Sequence, residues 1–183
     1  MLTIRGKRLR SDNTYIRMAG IEKIIVPKHI QDNQISFPLP SGLAAGIHSL
    51  QVLQLFLSNP HTPADEIASN IIAFILHPAI SATIDRVQKS EGNLHTAEVT
   101  VKFEPPVNTG QRVILLLDEV SLDRGTTDTI PVDARGEDTN SIAIPIKNIK
   151  TGNYLVRVQV DGAESWISRG EDGGYDSQQV KIS

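Results

Sequence analysis

The stretch TGNYLVRVQVDGAESW (151–166) gathers a phenol (Tyr154), a guanidinium (Arg157), two carboxylates (Asp161, Glu164) and the chain's single tryptophan, Trp166. On one surface these would make a ligand site, with aromatics to stack on and charges to orient. Strand alternation separates them instead, because successive side chains point to opposite faces. Gly152 opens the strand, and Tyr154, Val156, Val158 and Val160 form its inward stripe, with Leu155, Arg157 and Gln159 facing outward. Asp161 and Gly162 make the turn. Tyr154 takes the place of a sandwich's corner tyrosine, its hydroxyl bonded to nearby backbone. Trp166, beyond the turn, either caps the core beneath it or, exposed beside Asp161 and Glu164, serves as a carbohydrate platform or a protein contact.

RGEDGGYD (169–176) offers Glu171, Asp172 and Asp176 to calcium, but it lacks the fixed acid ladder of a calcium loop. It reads as a solvated hairpin tip, with Gly173 and Gly174 supplying positive φ. The tetrapeptide RGED, at 135–138 and again at 169–172, reads as polar turn composition. RGKRLR (5–10) is the dense positive run. It lacks the aromatic interleaving of a single-strand nucleic-acid binder and the spacing of a phosphate loop. It reads as a solvated edge whose Lys7, Arg8 and Arg10, with Trp166 and Tyr175, are the candidate partner contacts.

His29, His48, His61, His77 and His95 form no HxH, HxxxH or HExxH pair, so no metal is expected, and His48 reads as structural. No GxSxG occurs. Asp65-Glu66 and Asp118-Glu119 are sequential, which sends the carboxylates to opposite faces and does not suit acid–base work. No enzyme and no cofactor are expected.

The 183 residues carry a net charge of −3, which gives no electrostatic footprint for nucleic acid. The absence of cysteine excludes disulfides and thiolate zinc sites. The N-terminus places alternation before its basic residues, the reverse of a signal peptide. The apolar run IIAFIL (71–76) is far short of the ~20 residues of a membrane helix. A soluble chain without an export signal is expected.

Alternating segments separated by turn signals predict an all-β protein. Strands are placed at 2–5, 14–18, 22–26, 34–37, 46–57 and 69–76. A second set falls at 80–88, 97–103, 112–118, 128–132, 140–146, 153–160 and 179–182. Only TPADEIASNI (62–71), with its Thr-Pro start and early acids, suggests a helical turn. Pro78 in LHPAIS marks a boundary between domains 1–77 and 78–183. GIHSLQVLQ (46–54) and GNYLVRVQV (152–160) echo each other: Gly46 matches Gly152, and His48, Leu50 and Val52 match Tyr154, Val156 and Val158. The strands ISFPLP (35–40) and IAIPIK (142–147) precede them, each with a proline. An aromatic content of 4% leaves branched aliphatics to fill the cores.

LTIRGKRLRSDNTYIRMAGIE with ISFPLPSGLAAGIHSLQV resembles the immunoglobulin-like domains of the IPT/TIG type. FEPPVNTGQRVILLLDEV and GNYLVRVQVDGAESW resemble the C-terminal region of cap or tail-terminator proteins of contractile injection systems, which are phage-tail-like particles. The resemblance implies two tandem immunoglobulin-like β-sandwiches with Greek-key topology. It implies a non-enzymatic module that contacts protein partners in a multi-subunit particle assembled in the bacterial cytoplasm, or that joins the particle to an anchoring surface. That family's N-terminal tail-contacting domain has no counterpart here, which implies a fragment or a divergent stand-alone version. Candidate contact regions are 57–67, RGKRLR and 171–178. The alternative is a carbohydrate-binding or adhesin accessory module. An immunoglobulin-like DNA-binding domain is disfavoured by charge.

Overall fold

The computed structural model describes residues 1–56, 65–120, 126–133, 136–168, 175 and 177–183. These residues are all-β, in antiparallel sheets, with no helix among them, as the alternation predicts. The chain divides into two compact units, Met1–Leu43 with Ile47–Phe74, and Ala44–Gly46 with Ile75–Ser183. The division falls at 74/75, three residues before the expected boundary, and residues 44–46 go with the second unit.

The first unit holds β1 (Leu2–Arg5), β2 (Thr14–Met18), β3 (His29–Ile30), β4 (Gln34–Phe37), most of β5 (Gly46–Phe56), β6 (Asp65–Ala68) and the start of β7 (Ile72–Leu76). One sheet runs β1-β4-β3; the other runs β2-β5-β6, with β7 also on β5. Alternation makes one face of each apolar: Ile4, Ile35 and Phe37 are buried in the first sheet. In the second, Ile16 lies opposite Val52 and Met18 opposite Leu50, all four buried.

Two expectations fail here. Residues 22–26 form no strand; Ile25 makes a single bridge to Ile16, and the exposure of Ile24 and Val26 leaves no buried face to hold more. The helical turn expected within 62–71 is also overturned, since Asp65–Ala68 pairs with β5. The open edge of β5 outweighs the local start signal, and Glu66 pairs with Arg17 of β2 at 2.7 Å. Residues 62–64 lie outside the described residues.

In the second unit the strands are β8 (Ala79–Lys89), β9 (Leu94–Val107), β10 (Val113–Glu119), β11 (Thr127–Pro131), β12 (Thr139–Lys150), β13 (Gly152–Val160), β14 (Ala163–Glu164) and β15 (Gln179–Ile182). One sheet runs β12-β9-β8; the other runs β11-β10-β13-β14, with β15 also on β13. Val99, Val101, Ile142 and Ile144 of the first sheet share a core with Leu115, Leu117, Val156 and Val158 of the second. The unit is therefore a β-sandwich with an aliphatic core. Pro145 sits in β12, a terminal strand of its sheet, where a missing N–H does least harm.

β9 and β12 run four residues past their expected ends, and β12 does so through a bulge; β8 carries a bulge inside its expected range. In β12 the inward stripe is Ile142, Ile144, Ile146 and then Ile149, with Asn148 at φ 58° taking up the slip. β8 slips at Asp85/Gln88 with Arg86 at φ 54°. A bulge inserts a residue and shifts the period-2 pattern, so the alternation stops while the strand continues. β9 extends in phase to Val107.

Tyr154 is buried and its hydroxyl donates to Lys150 O at 3.1 Å. A Cβ on Gly152 would lie 3.4 Å from the Tyr154 ring, an ordinary contact, so the ring packs over the Gly152 backbone. Asp161 (φ 45°) and Gly162 (φ 86°) form the two-residue turn between the paired Val160 and Ala163. Positive φ at both matches the strand twist of a tight hairpin. Leu155, on the face opposite the core stripe, is nevertheless only 3% exposed and lies in the floor of the Arg157 side. Tyr154→Phe is expected to lower unfolding free energy by about 1 kcal/mol, the usual worth of such a bond. Urea denaturation checks this, and an unchanged midpoint would remove the hydroxyl's role.

Candidate functional site

β13 pairs on one edge with β10 and on the other with two short segments in turn. Ser165 extends the β14 side: its N–H donates to Val158 O at 2.8 Å, and its hydroxyl accepts from Val158 N–H at 3.1 Å. Val156 N–H donates to Gln178 O at 2.8 Å, beginning the β15 side. Between 165 and 178 the chain leaves the edge and returns. The two limbs are tied where Ser168 N–H donates to Ser177 Oγ at 2.8 Å. This neck carries Trp166 (75% exposed), Ile167 (38%) and Tyr175 (44%).

Beside it, on the outward face of β13, Arg157 is clamped by two carboxylates. Its Nε and Nη2 donate to Asp118 Oδ2 and Oδ1 at 2.6 and 3.0 Å, and its Nη1 donates to Glu164 Oε1. Thr127 of β11 donates to Asp118 Oδ1 at 2.6 Å. The register explains the meeting, because Leu116 lies opposite Arg157 and Asp118 opposite Leu155, which sets Asp118 diagonal to the guanidinium. Burial alone would raise the Asp118 carboxyl, but hydrogen bonds from Arg157 and Thr127 and the guanidinium charge hold it below its ordinary value. The bond to Asp118, against burial and with help from Glu164, pushes Arg157 above its ordinary value. A cleft of about 440 Å³ opens here, lined by Asp118, Thr127, Leu155, Arg157, Ile167 and Tyr175. The guanidinium is already committed to carboxylates, so the cluster stiffens the cleft wall and supplies a polar rim.

On the other side of the neck the Trp166 ring lies on His77, with centroids 4.4 Å apart and planes 46° apart. His77 Nδ1 is 2.7 Å from Glu164 O. Glu164 therefore serves both sides, its carboxylate toward Arg157 and its carbonyl toward His77.

Residues 78–181 match the model of a family described as a domain of unknown function, DUF8756, over more than half of the chain. The chain belongs to the DUF8756 family. No curated protein and no solved structure matches it. The neck, the ion cluster and the residues beneath Trp166 from Pro78 onward all lie inside the DUF8756 match.

Within the DUF8756 sandwich, Trp166 does not cap the core; it stands in solvent on His77. Tyr175 lines the Arg157 cleft, and its carbonyl accepts from Gln179 Nε2 at 3.0 Å. Asp161 does more than turn the chain: its carboxylate accepts from Arg112 N–H and Gln111 Nε2, both at 2.9 Å. Gln111 also donates to Ala45 O at 2.8 Å, beside Gly46 at φ +141°.

Lys7, Arg8 and Arg10 lie in the first unit, all exposed, with Leu9 buried between them. Arg8, at φ 55°, has its carbonyl held by Gln54 Nε2 at 2.8 Å. His48 rests against Phe74 at 5.4 Å. His95 is buried, with Nδ1 unpartnered among the described residues. Glu171, Asp172, Gly173, Gly174 and Asp176 lie outside the described residues, as does His61.

Sequence reasoning missed Asp118, Thr127 and the place of His77. Its separation of the 151–166 side chains is corrected at one point: Arg157 and Glu164, set apart by alternation, meet in an ion pair because the turn at Asp161-Gly162 folds Glu164 back beside β13. Asp118 was discounted because its neighbour Glu119 faces the other way, whereas its partner is across the strand.

Asp118→Asn is expected to cost about 2 kcal/mol at pH 7, in the range of hydrogen bonds to charged groups. A lowered native pKa means this stability is complete above the unfolded value of about 3.9 and is lost as pH falls through the lower native value. Urea titrations should show the gap between wild type and variant closing below about pH 4. A gap that is the same at every pH contradicts the assignment.

Proposed function

We propose that the chain is a non-enzymatic structural module that holds a protein neighbour, and that the neighbour belongs to a contractile, phage-tail-like particle assembled in the bacterial cytoplasm. The particle assignment rests on the resemblance of QRVILLLDEV and YLVRVQVDGAES to cap and tail-terminator proteins. The tandem immunoglobulin-like, Greek-key arrangement belongs to the same reading, and the sandwich of the second unit supports it.

The contact is carried by one observation. Ile167 and Tyr175, partly exposed, line one cleft together with the paired Arg157 and Asp118. Apolar and aromatic anchors within a polar rim are the composition of protein interfaces. Anchors fixed before binding lose little freedom on docking, which strengthens association. The exposed Lys7, Arg8 and Arg10 offer a second, electrostatic contact to an acidic surface.

Particles purified from the producing bacterium are expected to carry this chain. An Ile167→Ser/Tyr175→Ser double variant should be retained at least about tenfold less, the loss of two modest anchors. Quantitative immunoblotting of sedimented particles measures this, with thermal unfolding to show that the variant folds. Particles without the chain, or a folded double variant retained as wild type, would overturn the reading. Unchanged retention of a Lys7, Arg8, Arg10→Ser variant would remove the basic contact alone.

A further inference from the structure

We infer that the cleft beneath Trp166 binds a neutral sugar unit. It lies on the side of the neck away from Tyr175, has a volume of about 260 Å³, and is lined by His77, Ser165, Trp166, Ser168, Ser177 and Gln178 among others. No carboxylate, ammonium or guanidinium lines it among the described residues. Among the described residues its polar groups are hydroxyls, an amide and an imidazole, which suit a neutral ligand.

Trp166 supplies the platform. The His77 ring sits tilted against the indole, and Trp166 is still 75% exposed, so most of the indole surface is open to solvent. A wide apolar ring open to water gains by covering with the C–H face of a pyranose, and its position is already set. The backbone beside it is fixed by both bonds of Ser165 to Val158, and the neck is closed by Ser168 and Ser177.

His77 supplies direction. The Glu164 carbonyl, 2.7 Å from Nδ1, can only accept, so Nδ1 carries the proton. In the neutral ring this leaves Nε2 as an acceptor with no partner among the described residues. An acceptor fixed beside an aromatic face suits a ring hydroxyl placed by stacking. A ligand that stacks without a donor leaves that acceptor unmet.

The inference stands apart from the protein contact, which uses the Ile167 and Tyr175 side. The test uses the whole chain with cellohexaose, maltohexaose, xylohexaose and chitohexaose, and a glycan array for breadth. Trp166 is the only tryptophan, so its emission reports the cleft directly. At least one neutral glycan should shift the emission to the blue and saturate. By calorimetry, Trp166→Ala should weaken that binding more than about tenfold, since the stacking surface is gone. His77→Phe, which keeps a ring beneath the indole and removes the acceptor, should weaken it roughly three- to tenfold, the worth of one hydrogen bond. Unchanged thermal unfolding of the two variants separates lost binding from lost folding. No neutral glycan bound, acidic glycans alone bound, or full binding by folded Trp166→Ala would each overturn the site. Particle retention of Trp166→Ala is read in parallel: loss of retention without any glycan binding would make Trp166 a protein contact.

Discussion

The second edge of β13 must be met by hydrogen-bonding partners, because a buried amide left unpaired costs about 1–3 kcal/mol. The chain meets it in two pieces: the tight hairpin into β14 and Ser165, then Gln178 and β15. Neither piece is long enough to cover the strand alone. The join between them is where the backbone is free to leave the sheet, and the neck arises there. Trp166, Ile167 and Tyr175 are thus presented by a defect in pairing at the centre of a sheet, on a base that the core itself holds still.

Glu164 makes the two sides of that base a single piece. It has two polar ends at right angles in function, a carboxylate toward Arg157 and a carbonyl toward His77. Arg157 in turn reaches β10 through Asp118, and Thr127 brings in β11. With roughly a fifth of each of their side chains exposed, Arg157 and Asp118 are screened less than a surface pair. Their charge-assisted bonds span β11, β10, β13 and β14, which keeps the wall of one cleft from shifting without disturbing the other.

The all-β class and most strand positions were legible because alternation with one buried face leaves a plain pattern, as in the stripe from Tyr154 to Val160. Legibility ended where the backbone broke phase. Asn148, at positive φ, extends β12 past the point where alternation stops. Asp65–Ala68 became strand because the edge of β5 was open, a fact held by residues far away in the chain. The ion cluster was illegible for a related reason. Asp118 and Arg157 are 39 residues apart and meet only through the β10–β13 register. Trp166 was singled out by its rarity alone, and nothing local showed that His77 would lie beneath it.

Ala45 is 2% exposed in the core of the second unit, and its carbonyl takes a hydrogen bond from Gln111, 66 residues later. Those three residues, 44–46, leave the ribosome long before the strands that enclose them. The second sandwich therefore cannot close its core in the order in which it is made. It must recover a piece issued early, and until Gln111 and Asp161 have emerged, Gly46 has no turn to sit against. Chain elongation at roughly 5–20 residues per second makes that wait several seconds. During that time the nascent chain holds an apolar stretch in reserve, and the unit's completion becomes a late event of synthesis.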